Sequence, residues 1–179
     1  MSKLTPDSEL ELLFDAKLIP DEVKNVGDGL HLRPLSSTDY DRGHLRVLEA
    51  LTKVPDPGRD AWLRQFQLMQ QSKPAAYYTL AILDAATDEI VAVGSLFIEY
   101  KFIRGLGACG HIEDIAVDPK TQGKGLGKKL IRALTGLSEA LGTYKVILDC
   151  SEDNKPFYEK CEYKLVGVQM AKYAAHVQK

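Results

Sequence analysis

The segment Gln122-Gly123-Lys124-Gly125-Leu126-Gly127 limits the possible folds of this chain more than any other. It stands between an apolar run, Ile112 to Val117, and a helix-like stretch, Lys128 to Leu141. Strand, glycine turn and helix in that order build an anion site. Glycines at 123, 125 and 127 remove the side chains that would hold a ligand off the backbone. The unpaired N–H groups of the helix's first turn then point at the guest, and a pyrophosphate suits them.

Spacing separates the glycine loops that could occupy such a place. A Walker P-loop needs a glycine five residues before its Gly-Lys pair and a Ser or Thr after it; Gly127-Lys128 has Gln122 and Lys129 there. A Rossmann fingerprint starting at Gly123 needs a small residue at 128, where Lys128 stands, and belongs in a chain's first βαβ unit. What remains is Gln/Arg-x-x-Gly-x-Gly/Ala, matched by Gln122, Gly125 and Gly127. It resembles the acyl-coenzyme A pyrophosphate loop of the GNAT N-acetyltransferases. The alternative is a glycine turn with no ligand.

The 179 residues, 45% of them hydrophobic, suffice for one well-packed domain. With 23 basic and 25 acidic residues the net charge is −2, which offers no global field to draw nucleic acid or an anionic membrane. No run of eighteen apolar residues and no apolar leader core occurs, so a soluble, cytoplasmic protein without membrane insertion is expected. Cys109, Cys150 and Cys161 are far apart and form no C-x-x-C pair, so no metal site is expected. Cys109 and Cys150 read as buried small hydrophobes. His111-Ile112-Glu113 matches half of a zinc deaminase signature, but the P-C-x-x-C half is missing.

Residues 1–28 read as an N-terminal extension and 29–179 as the domain. In the extension, Leu10, Leu13, Phe14 and Leu18 at helical spacing predict a helix over Asp7 to Lys17 that docks on the domain. Leu30 to Leu35 alternates like a strand, and Ser36-Ser37-Thr38-Asp39 offers caps for a helix through about Leu51. A second helix follows Pro57-Gly58 with Trp62, Phe66 and Met69 on its core face. Tyr77 to Leu83, Ile90 to Ile103 and Cys109 to Val117 are β-rich and read as an antiparallel meander. Beyond the glycine-loop helix come a strand at Lys145 to Cys150, a helix at Lys155 to Lys160 and a last strand at Leu165 to about Tyr173. This order is that of the α/β (α+β) acyl-coenzyme A N-acyltransferase fold, a mixed, mostly antiparallel sheet flanked by helices.

From Gly94 onward the chain resembles one branch of the GNAT superfamily, the eukaryotic, fungal-type glucosamine 6-phosphate N-acetyltransferases. The residues that carry this are Gly110 to Val117 (Gly-His-Ile-Glu-Asp-Ile-Ala-Val), Gln122 to Gly127, Tyr144 to Cys150 and Phe157 to Cys161. The N-terminal half matches only through Leu51-Thr52-Lys53-Val54. The resemblance implies acetyl transfer from acetyl-coenzyme A to the C2 amine of an amino sugar phosphate, on the way to UDP-N-acetylglucosamine. The amine must lose a proton, the oxyanion needs donors, and the departing thiolate needs a proton.

Adjacent carboxylates on a strand point to opposite faces, so Glu113 and Asp114 are expected not to serve one proton together. On the resemblance, Glu113 and Asp149 polarise the amine, and the alternative for Asp149 is a cap on the helix near Asn154. Tyr158 is the thiolate's proton donor, its alternative being a core tyrosine, and Asn154 holds the pantetheine. Ile115, Ala116 and Val117 pair with pantetheine through their backbone. Gln122, Gly123, Lys124, Gly125, Leu126 and Gly127 hold the pyrophosphate. Thr52, Lys101, Arg104, Glu113, Asp114, Tyr144, Lys145 and Asp149 are the substrate contacts. Solvated charge is the alternative for each of the cations. Where the family often carries an arginine near the last strand, Lys172 and Tyr173 stand instead. The resemblance also implies a homodimer in which the last strand helps to build the partner's site. Two rivals are a peptide N-terminal acetyltransferase, which needs a groove for an extended chain, and a non-catalytic acyl-coenzyme A sensor.

Overall fold

The computed structural model describes residues 3–174. It divides into two compact units, one running to Leu148 and one beginning at Asp149. The first unit is built on a five-stranded sheet whose spatial order is the chain order: β1 (Leu30–Pro34), β2 (Tyr77–Asp84), β3 (Glu89–Tyr100), β4 (Ala108–Val117) and β5 (Lys145–Leu148). The first four strands pair antiparallel and β5 joins β4 in parallel. That parallel step needs a crossover, which the 15-residue helix α5 (Leu126–Ala140) supplies.

Strand alternation decides which helix covers which face. Ala81, Leu83, Val93 and Ala116 join Val47, Trp62 and Phe66 in one cluster, below α2 (His44–Leu48) and α3 (Arg59–Gln70). Helix α5 covers the sheet with Leu126, Leu130, Leu134 and Leu137, all buried on one stripe. Each contributes roughly 1.5–3 kcal/mol by leaving water. Gly110 lets α5 come close, since a Cβ there would stand 2.1 Å from Ser138 Oγ.

The extension is part of this packing. Leu13, Ile19, Val23 and Val26 are buried, Val23 in the short helix α1 (Asp21–Lys24). The helix expected over Asp7 to Lys17 is absent; two 3-10 turns (Asp7–Glu9 and Ala16–Leu18) flank a bridge between Leu12 and Ser36. The backbone there bonds to the chain beyond β1 instead: the Leu13 N–H donates to Leu35 O at 2.8 Å and the Ser37 N–H to Glu11 O at 2.9 Å. An isolated helix of that length is marginal, so those tertiary partners win.

Helix α2 also starts later than the caps suggest. Asp39 is fully buried and takes two 2.7 Å hydrogen bonds from the buried Arg33 guanidinium, as well as the Ser36 N–H. The helix begins only after Gly43, at φ +82°. In the second unit α6 (Lys155–Glu159) forms as expected, following a 3-10 turn (Glu152–Asn154). The last strand does not: Leu165 to Tyr173 has no regular structure. Val166, Val168 and Met170, spaced as on a strand, are exposed. A strand needs a hydrogen-bonded neighbour, and among the described residues this segment pairs with no strand.

Candidate active site

The site in the first unit grows from an irregularity in β4. Ser95 lies opposite Glu113 and Val93 opposite Ala116, so the single Gly94 faces the two residues Asp114 and Ile115. This is a β-bulge, with Asp114 in the left-handed region at φ +54°. Gly94 is required by it, because a Cβ there would stand 2.4 Å from Ile115 Cδ1. Ile115 crosses over this glycine toward Leu130 and Leu134 of α5. Ala116 then packs with the α2 and α3 cluster.

The bulge overturns the expectation that Glu113 and Asp114 point to opposite faces. Glu113 shares the face of its cross-strand partner Ser95, which lines a cavity beneath α2 and α3, and Asp114 lines the same cavity. Both carboxylates therefore lie on one side of the sheet. The sequence did hold a signal for this, a lone glycine inside the β3 pattern, which marks a bulge or a close backbone approach.

Pairing between β4 and β5 ends at Ile112 opposite Leu148. From Glu113 to Val117, β4 is paired on its β3 side and β5 does not cover the other edge. That edge is a template for an extended partner with amide groups, such as pantetheine. The glycine loop follows three residues of 3-10 helix (Pro119–Thr121). Gly123 and Gly125 have φ +84° and +72°, and a Cβ on either would meet nothing within 4 Å. Gly125 is the N-cap of α5 and the Lys129 N–H bonds back to its carbonyl, so the N–H groups of residues 126–128 project from the helix start. Space above the backbone and outward N–H groups fit a pyrophosphate.

The predicted cations also gather. Between β3 and β4 a single turn, α4 (Ile103–Leu106), departs from helical geometry at Arg104 (φ +58°) and Gly105. The Arg104 guanidinium lies 5.9 Å and the Lys145 ammonium 5.8 Å from the centre of the Tyr144 ring. Lys101 is committed to Glu99, 2.6 Å away, and the same Glu99 oxygen is 2.9 Å from His111 Nε2. Thr52 is exposed in the connection between α2 and α3.

In the second unit, Asp149 accepts a 2.9 Å hydrogen bond from Gln169 Nε2. It caps no helix there: Ser151 precedes the 3-10 turn, and Asn154, which precedes α6, makes no side-chain capping bond. Cys150 is exposed, contrary to the buried reading, whereas Cys109 is buried. Tyr158 is half-buried between Phe157 and Tyr163. Burial, and then the nearby Cys150 and Cys161 thiols, push its phenol above the usual value, so it holds its proton at neutral pH. Among the described residues no group of three or more His, Cys, Asp or Glu is arranged to hold a metal ion, and no helix is long and apolar enough to cross a membrane.

Comparison with known proteins decides the family. The acetyltransferase (GNAT) family pattern matches residues 44–163. The chain belongs to the GNAT family. GNAT enzymes draw on acetyl-coenzyme A. This GNAT chain is 43% identical over 149 residues to the glucosamine 6-phosphate N-acetyltransferase 1 of Dictyostelium discoideum, covering 83% of this chain and 93% of that protein. It is 42% identical over 142 residues to the glucosamine 6-phosphate N-acetyltransferase of Candida albicans, covering 79% and 94%. The crystal structure of glucosamine-6-phosphate N-acetyltransferase from Arabidopsis thaliana superposes with a TM-score of 0.77 at 38% identity, covering 80% of this chain and 97% of that one.

Proposed function

We infer that this GNAT enzyme moves the acetyl group of acetyl-coenzyme A to the amine of D-glucosamine 6-phosphate, giving N-acetyl-D-glucosamine 6-phosphate and coenzyme A in the cytoplasm. Relatives of that name, each about 40% identical, support the reading. The observation that carries it is the pair of cations, Arg104 and Lys145, that flank the Tyr144 ring, because a sugar phosphate is a compact dianion that needs clustered cations. An extended peptide has no such need.

Acetyl-coenzyme A supplies a thioester carbonyl that an amine can attack. The chain's own residues do the rest. The loop from Gln122 to Gly127 binds the pyrophosphate, and the backbone of Ile115, Ala116 and Val117 aligns the pantetheine, with Asn154 as a further contact. Glu113 and Asp149 draw the proton from the amine, and Asp114, Thr52 and Tyr144 position the sugar. Tyr158, a phenol that keeps its proton, gives it to the departing thiolate.

The test is free-thiol release from acetyl-coenzyme A with glucosamine 6-phosphate, glucosamine and peptides as acceptors. Release with the phosphorylated sugar alone is expected. Arg104→Ala should raise the KM for that sugar about tenfold or more and leave the KM for acetyl-coenzyme A within about threefold. Release with peptides instead, or with no acceptor, would refute the reading.

We also propose that the enzyme is a homodimer. The exposed apolar row Leu165, Val166, Val168 and Met170 supports this, since a strand-like segment of that character is a ready partner for a second chain.

A further inference from the structure

The cavity beneath α2 and α3 measures about 140 Å³, comparable to an apolar cavity that takes up a benzene ring. Its walls are chiefly Leu35, Trp62, Phe66, Met69 and Val93. Of its polar lining, Gln65 and Asp114 are exposed to solvent, and the more buried groups are already satisfied. Thr79 Oγ1 and Ser95 Oγ hydrogen-bond each other at 2.9 Å, and the Trp62 Nε1–H donates to His44 Nδ1 at 3.0 Å. Burial pulls the His44 ring down to about 4, so it adds no positive charge at neutral pH. Among the described residues no buried side-chain polar atom lacks a hydrogen-bond partner. The guest this lining suits is hydrocarbon.

Its place in the fold says which hydrocarbon. Asp114, the bulge residue, stands in the cavity wall together with Ser95 and Val93, the partners of Glu113 and Ala116. The cavity thus lies level with the bulge, where the open edge of β4 begins. An acyl-pantetheine arm aligned on Ile115 to Val117 would bring its thioester to that level.

We propose that this cavity receives the distal carbons of acyl groups longer than acetyl, so that the enzyme also uses propionyl- and butyryl-coenzyme A as donors. The proposal rests on the acetyl-transfer reading above. The chemistry is unchanged by chain length: the amine nitrogen forms the new bond to the carbonyl carbon, the carbon–sulfur bond breaks, the amine loses one proton, and the thiolate gains one. The added methylenes need only a largely apolar space, and the cavity is large enough for two.

The test measures kcat/KM for acetyl-, propionyl-, butyryl- and octanoyl-coenzyme A with glucosamine 6-phosphate. Propionyl and butyryl donors should fall within about tenfold of acetyl, and octanoyl should fall far below. Met69→Phe narrows the cavity and should cut butyryl transfer about tenfold or more while acetyl transfer stays within about threefold. Because that side chain could swing to solvent, Val93→Ile provides a second narrowing from the sheet side, with the same expectation. Propionyl and butyryl transfer more than about tenfold slower than acetyl transfer would overturn the proposal and leave the acetyl-transfer reading standing. Equal losses for every donor in both folded variants would overturn it too. No transfer from acetyl-coenzyme A itself would remove both.

Discussion

At the scale of single residues, the chemistry turns on groups whose surroundings fix their protonation. Burial keeps the Tyr158 phenol protonated, which suits a donor that acts only as charge develops on sulfur. Tyr158→Phe keeps the ring and its contacts with Phe157 and Tyr163. Turnover should fall about ten- to a thousandfold while the affinity for each substrate changes only a few fold. Steady-state kinetics, in conditions where chemistry limits the rate, decides this, and an unchanged kcat would make Tyr158 a packing residue. Glu113 and Asp114 were recognisable as a pair of carboxylates, but their orientation was not. Alternation holds only while the strand is regular, and the bulge at Gly94 moves Asp114 onto the Glu113 side. Tyr158 and the loop glycines could be singled out because each stands in a short motif, whereas Arg104 was placed by the resemblance alone. His44 and Ser95 were missed because nothing local marks them; only the packing of α2 and α3 on the sheet gives them a role.

Among the elements, the loop and helix α5 make the firmest expectation. Gly125 has φ +72° and open space at its Cβ position. Gly125→Asp would strain that backbone and put a negative charge beside the helix start, so acetyl-coenzyme A binding should be lost while the fold remains. Calorimetry on the folded variant checks it; near wild-type affinity would sink the pyrophosphate assignment. Between α2 and α3, the Trp62–His44 hydrogen bond fastens the helices only while His44 Nδ1 is an acceptor. Unfolded histidine titrates near 6.5 and folded His44 near 4, so below pH 6.5 the unfolded chain takes up a proton that the folded chain refuses. Stability from this group is therefore present at neutral pH and drains away as pH falls from about 6.5 to 4, by at most about 3 kcal/mol. His44→Gln should reduce the loss between pH 7 and pH 5 by about 1–2 kcal/mol in urea unfolding. An identical pH slope in both proteins would show that His44 titrates normally. Strands β1 to β5 and helices α3 and α5 were readable from periodicity, but the strand expected over Leu165 to Tyr173 was not formed. The extension and Ser36 to Gly43 were not readable, because their backbone bonds go to partners distant in the chain or to a buried ion pair.

For the molecule as a whole, the first unit closes Leu13, Ile19, Val23 and Val26 of the extension into its core, while Phe102, Ile103 and Leu106 around α4 stay exposed. Val166, Val168 and Met170 stay uncovered. The proposed dimer would cover that row, and light scattering should give two chains per particle at micromolar concentration. Lysine at Val168 should shift the population toward single chains, because a charge opposes burial in an apolar contact. One chain per particle for the natural sequence would refute the dimer.

Strand order and chain order are the same in this sheet. A chain leaving the ribosome can therefore lay down β1, β2, β3 and β4 as each is made, every new strand docking on the edge left by the one before. At roughly 5–20 residues per second, the hairpin contacts form long before the next strand arrives. The exception is β5, which must wait for α5 to cross the sheet before it can join β4 in parallel. A nascent chain that has released β4 from the ribosome but not yet β5 would present the unpaired edge of β4 to chaperones.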